Sequence, residues 1–163
     1  MRAVKSIDAP DSAPVPIREL LSFRLNRAAN LVSRGAALRY RREFGVSLME
    51  WRAVALIGAQ APISLNELAR HAGLDKSQMS RVVAGLTERG HVLRGIDMAD
   101  GRGVRLSLTR TGRKLYEGLI AAANQRNDAL LAALTPRELA CFETALGKLA
   151  DAARTLIQQE RAG

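Results

Sequence analysis

From Ile17 onward, Leu20, Leu21, Phe23, Leu25, Ala28, Leu31 and Val32 recur mainly at steps of three and four, with Arg18, Arg24, Arg27 and Arg34 between them. That spacing predicts an amphipathic helix that continues past Gly35, a weak point, towards Phe44 and stops at Gly45. Ser47 followed by Glu50 reads as a capping box, in which each side chain satisfies a backbone amide left open at a helix start. The helix it opens points Leu48, Trp51, Val54, Ala55 and Ile57 inward and ends before Pro62. A second box, Ser64 with Glu67, opens a short helix with Leu65, Leu68 and Ala69 on its inner side, closed by Gly73. Asp75 then caps a fourth helix whose inner stripe is Met79, Val82, Val83 and Leu86, ending near Gly90. Two helix starts across so short a Gly-containing turn are the signature of a helix-turn-helix.

Beyond Gly90 the period drops to two. Residues 91–96 and 104–109 alternate as two short strands around a polar, glycine-bearing tip at 97–103. Thr109 or Thr111 caps a helix from about Gly112 to Leu134 through Leu115, Leu119, Ile120 and Leu130. Pro136 fits the first turn of a last helix carrying Leu139, Phe142, Leu146, Leu149 and Leu156. The expected fold is mainly α with a small two- or three-stranded β wing: a winged helix-turn-helix with N- and C-terminal dimerisation helices. The expected organisation is a loose leader at 1–16, an N-terminal helix at 17–46, the winged helix-turn-helix at 47–112 and C-terminal helices at 113–163. The leader has three prolines and no apolar core of an export signal.

Composition adds a partner. The 163 residues hold 25 basic and 16 acidic side chains, a formal net charge of +9, and only Lys5, Lys76, Lys114 and Lys148 among the cations are lysine. Such an excess favours a polyanion through release of its condensed counterions, without distinguishing DNA from RNA or an anionic membrane. Aromatics at 4% give few platforms for stacking splayed bases, which disfavours RNA. One cysteine, Cys141, permits no intramolecular disulfide, so a reducing compartment is expected. The sequence has no run of about 18 apolar residues that would span a membrane.

The candidate chemistry lies on the fourth helix and the tip. With the inner stripe buried, Lys76, Ser77, Gln78, Ser80 and Arg81 fall outward or at the flanks of the first two turns. A helix entering the major groove meets base edges there: Gln pairs with adenine, Arg with guanine, and Lys76 and Ser80 suit phosphates. Arg102, between Gly101 and Gly103, can reach into a narrow minor groove, where negative potential is concentrated. Asp97 and Asp100 would repel phosphate, so one of them is expected to pair with an arginine and brace the tip.

The stretch from Trp51 to Gly112 resembles the MarR family of bacterial transcription regulators. The resemblance is carried by Trp51-Arg52, Ser64 with Glu67-Leu68-Ala69, Gly73 to Ser77, Ser80 to Val83, Leu86, Arg89-Gly90, Val92, Arg94, Asp97, Asp100-Gly101-Arg102 and Leu108-Thr109 with Gly112. It implies a dimer in which the first and last two helices intertwine with their counterparts. It also implies recognition positions at Ser77, Gln78, Ser80 and Arg81, a wing arginine at Arg102, and Asp97 as the brace. The full expected DNA-binding set is Ser64, Lys76, Ser77, Gln78, Ser80, Arg81, Gly101, Arg102 and Arg105, with Asp97 bracing the wing. A small aromatic or phenolic effector is a further implication of the family. The first-helix arginines could pair with its carboxylate, remain solvated or face DNA.

The terminal helices hold more Leu, Ala and Ile than the central core needs. Burying a leucine gains roughly 1.5–3 kcal/mol, so a homodimer is expected to cover them. The expected partner is then double-stranded DNA at a pseudo-palindromic operator, bound by a cytoplasmic, nucleoid-associated regulator that is expected to act as a repressor. The rival from another class is a helical protein-interaction module with only non-specific DNA affinity. No catalytic residue, cofactor or metal is expected: His71 and His91 lie on different elements and make no ligand spacing with Cys141. Cys141, beside Ala140 and Phe142, reads as a small packed residue and not as a redox sensor.

Overall fold

The computed structural model describes residues 14–96 and 104–162, with only the backbone at 96. The expected tip contacts Gly101 and Arg102, the brace Asp97 and most of the leader therefore lie outside the described residues. In chain order the elements are α1 (Leu21–Phe44), α2 (Leu48–Gln60), β1 (Ile63–Ser64), α3 (Leu65–Ala72), α4 (Lys76–Glu88), β2 (Val92–Ile96), β3 (Val104–Leu108), α5 (Arg110–Leu131) and α6 (Pro136–Ala162). They fall into two compact units, residues 1–48 and 49–163.

In the first unit, α1 begins later than the periodicity from Ile17 suggests. A turn closes first, with the Glu19 amide donating to the Pro16 carbonyl at 2.8 Å, and Leu20 stays extended at ψ 131°. The helix runs through Gly35 without a break; one interior glycine costs only about 1 kcal/mol. It stops where expected, at Gly45, whose φ of 66° suits a residue without Cβ and turns its amide back to the Arg41 carbonyl. Ala36 and Tyr40 are buried, whereas Leu31 and Leu38 are each 65% exposed.

The second unit has its core where the helix-turn-helix and the sheet meet. Ala53, Val54 and Ile57 of α2, Leu68 and Ala69 of α3, and Met79, Val83 and Leu86 of α4 are buried with Ile63, Val92 and Leu106 of the sheet. Two expectations shift here. Trp51 and Ala55 are only half-buried while Ala53 is fully buried, and Leu65 and Val82 sit at the core's edge. The sheet has three antiparallel strands in the order β1-β3-β2, with Ser64 opposite Arg105 and Val92 opposite Leu108.

Local capping explains the boundaries. The Ser64 hydroxyl accepts from the Glu67 amide at 3.2 Å, and the Glu67 carboxylate accepts from the Ser64 amide at 2.9 Å. Both halves of that box form. Ser64→Ala should therefore lower stability by about 1 kcal/mol, read as a lower midpoint in chemical denaturation with an unchanged slope. Glu50, at the start of α2, forms an ion pair with Arg89 beyond the end of α4.

The entry to α5 is tied to the start of β2. Of the two threonines offered as caps, Thr109 is the N-cap, its hydroxyl accepting from the Gly112 amide at 2.9 Å. The Thr109 amide donates to the His91 carbonyl at 3.1 Å, and the Thr109 and Thr111 hydroxyls each donate to the Gly90 carbonyl at 2.7 Å. Further along, the Tyr116 ring lies directly against Gly58 of α2, a close approach that leaves no room for a Cβ.

α6 opens on a capping box absent from the expectations: the Glu138 carboxylate accepts from the Thr135 amide at 2.8 Å, and the Thr135 hydroxyl accepts from the Glu138 amide at 3.3 Å. None of its 27 residues is buried. Phe142, Leu146 and Leu156 are 51%, 46% and 61% exposed. Cys141, read as a packed residue, is exposed as well, on a helix none of whose residues is buried among the described residues.

Candidate nucleic-acid interface

Three residues separate α3 from α4, and their chemistry sets the geometry of the motif. Gly73, with φ 67°, ends α3 by returning its amide to Arg70 and Ala69, and Leu74 leads to Asp75, the N-cap of α4. One oxygen of the Asp75 carboxylate accepts from the Gln78 amide at 2.8 Å and from the Ser77 hydroxyl at 2.7 Å. The Gln78 amide first, then Ser77, with Arg81 adding its charge, hold this carboxyl below its ordinary value, so it is ionised at neutral pH.

With Met79, Val83 and Leu86 turned into the core, Lys76, Ser77, Gln78 and Arg81 stand exposed on the outer side of α4. Ser80 is half-buried at the flank. These five expected contacts share one helix and its first two turns. The remaining two described candidates sit apart from them, on the sheet. Ser64 is committed to capping α3, and Arg105 donates to the Glu67 carboxylate at 3.2 Å. The Ser64 hydroxyl and amide, then Arg105, hold the Glu67 carboxyl below its ordinary value. Arg105 therefore joins β3 to the start of α3, a link hidden in the sequence by a separation of 38 positions. The β1–β3 register, which sets Arg105 opposite Ser64, brings the two together.

His91 joins α4 to β2. Its Nδ1 is buried without a hydrogen-bond partner among the described residues, and burial, reinforced by Arg89, depresses its pKa. Among the described residues no group of three or more His, Cys, Asp or Glu could hold a metal ion, and no helix is long and apolar enough to cross a membrane.

The sequence profile of the MarR family matches residues 44–103, which takes in α3, α4 and the start of the wing. The HTH-type transcriptional repressor Rv2887 of Mycobacterium tuberculosis is 30% identical over 105 residues, covering 64% of this chain and 76% of that protein. Among solved structures, a MarR/EmrR family transcriptional regulator from Acinetobacter sp. ADP1 superposes with a TM-score of 0.77 at 26% identity, over 86% of this chain and 99% of that one. The PcaV transcriptional regulator from Streptomyces coelicolor, solved with its natural ligand, gives a TM-score of 0.68 at 25% identity, over 87% and 99% of the two chains. The sequence match, the repressor relative and the shared winged-helix fold agree: this chain belongs to the MarR family of transcriptional regulators.

Proposed function

We propose that the protein is a repressor that binds double-stranded DNA sequence-specifically, as a homodimer on a pseudo-palindromic operator. Residues 47–112 form the DNA-binding region in this reading, and residues 17–46 and 113–163 hold the dimer. The observation that carries it is the outer side of α4, where Lys76, Ser77, Gln78 and Arg81 are all exposed on a helix whose opposite side is locked into the core. Such a helix lies in the major groove, with Gln78 and Arg81 reading base edges and Lys76 and Ser80 meeting phosphates. Arg102 enters the adjacent minor groove from the wing, with Asp97 bracing it. Ser64 and Arg105 act beside α4 by holding the start of α3 and by lending Arg105's charge to the phosphate backbone.

The sign of regulation follows the Mycobacterium relative, which is named a repressor. Release by a small aromatic or phenolic ligand is part of the same reading, supported by PcaV, whose structure contains its natural ligand. The regulator acts on DNA in the cytoplasm.

The experiment compares the duplexes selected from a random pool by the parent protein and by three variants. Gln78→Ala and Arg81→Ala should each change the preferred base at one position of every half-site, at a cost of about 1–3 kcal/mol. Arg102→Ala should weaken all sequences alike and flatten the salt dependence. Unchanged selection by both α4 variants would place another surface in the groove.

A further inference from the structure

We propose that Ser77 reads DNA as a hydrogen-bond acceptor only, taking its bond from the exocyclic amino group of an adenine or a cytosine, and that Asp75 imposes this polarity. The inference rests on the reading of α4 as the recognition helix.

A serine hydroxyl has one hydrogen to give and two lone pairs to receive with, so on a base edge it is ordinarily indifferent to donors and acceptors. Here the hydrogen is already placed, since the Ser77 hydroxyl donates to the Asp75 carboxylate at 2.7 Å. A hydrogen bond to a carboxylate is about twice as strong as one between neutral groups. The carboxylate cannot follow the hydroxyl elsewhere, because the same oxygen receives the Gln78 amide at 2.8 Å and thereby caps α4. Ser77 nonetheless remains exposed, so its free lone pairs are open to a partner.

The major-groove edge offers few complements to such an oxygen. Guanine presents N7 and O6, and thymine O4, all acceptors; the donors are N6 of adenine and N4 of cytosine. Phosphate oxygens also only accept, so the Ser77 hydroxyl cannot serve as a backbone anchor while Asp75 holds its proton. Asp75 is thus a positioning residue whose effect on sequence choice is exerted through Ser77.

The test uses the full chain and the duplex it selects. Each adenine of a half-site is replaced in turn by the purine analogue lacking the N6 amino group, and each cytosine by the pyrimidine analogue lacking the N4 amino group. Dissociation constants are measured for the parent and for Ser77→Ala, a change at an exposed position that the fold tolerates. At one position the deletion should weaken the parent about tenfold and Ser77→Ala less than about twofold. In Asp75→Ala, which frees the hydroxyl to donate, discrimination at that position against guanine and thymine should fall to about twofold. If a symmetric site is selected but no amino deletion couples to Ser77, the inference fails and the function proposed above stands. If no site is selected at all, both fail.

Discussion

Replacing Phe142 and Leu146 together with glutamate is expected to yield a monomer at micromolar concentration and to weaken operator binding at least about 100-fold. Leu139, Phe142, Leu146, Leu149, Ala153 and Leu156 follow one another at alternating steps of three and four along α6, which places them on a single seam. Phe142 and Leu146 are 51% and 46% exposed, and no residue of the helix is buried within its own chain. In the proposed dimer a second copy covers this seam, and most helical stability in proteins comes from such packing of an apolar face. Each leucine covered there contributes roughly 1.5–3 kcal/mol, and two-fold symmetry counts every substitution twice. A carboxylate forced into such a contact adds several kcal/mol of desolvation cost. Once the copies separate, a half-site is bound without the gain in effective concentration from its twin. The helix-turn-helix core, with Leu68, Met79, Val83 and Leu86, is untouched by these changes. Sedimentation equilibrium checks the first part and operator titration the second; a persisting dimer with operator affinity within about threefold would contradict both.

Gly112→Ala is expected to destabilise the chain by about 3 kcal/mol, read as a thermal midpoint roughly 10 °C lower. An added Cβ would stand 1.9 Å from the carbonyl oxygen of His91, and backbone must then move. It cannot move cheaply. The His91 carbonyl accepts from the Thr109 amide, and the Gly90 carbonyl just before it accepts from both threonine hydroxyls. Relieving the clash therefore separates the start of β2 from the start of α5. Gly85→Ala is the control: nothing lies within 4 Å of a Cβ there, so alanine should leave stability unchanged or raise it by about 0.5–1 kcal/mol. Equal midpoints for the two variants would remove the argument from packing.

Where the information was local, the sequence could be read. Gly45 and Gly73 as helix stops, Ser64 with Glu67 as a box, and Asp75 as a cap each depend on neighbours within four residues, and each stands as expected. The outward placement of Lys76, Ser77, Gln78 and Arg81 followed from the inner stripe by helical geometry alone. Apart from the local Thr135–Glu138 box, which was overlooked, what escaped was set by partners distant in sequence. β1 is two residues long and exists because β3 pairs with it; no propensity signals so short a strand. The Glu67–Arg105 pair and the pressure of His91 on Gly112 are of the same kind. Gly112 was legible as part of a motif, but its reason is steric and resides in another element. Cys141 was misread because a small residue between Ala140 and Phe142 resembles core, although no residue of α6 is buried among the described residues.

The measurement that bears most directly on a dimer holding two copies of α4 in the major groove is selection of bound duplexes from a random pool by the full chain. The expected result is a consensus with two-fold symmetry and half-site centres about 10–10.5 base pairs apart, or a multiple of that spacing. An absence of enrichment, or a single asymmetric half-site bound by one copy, would contradict it.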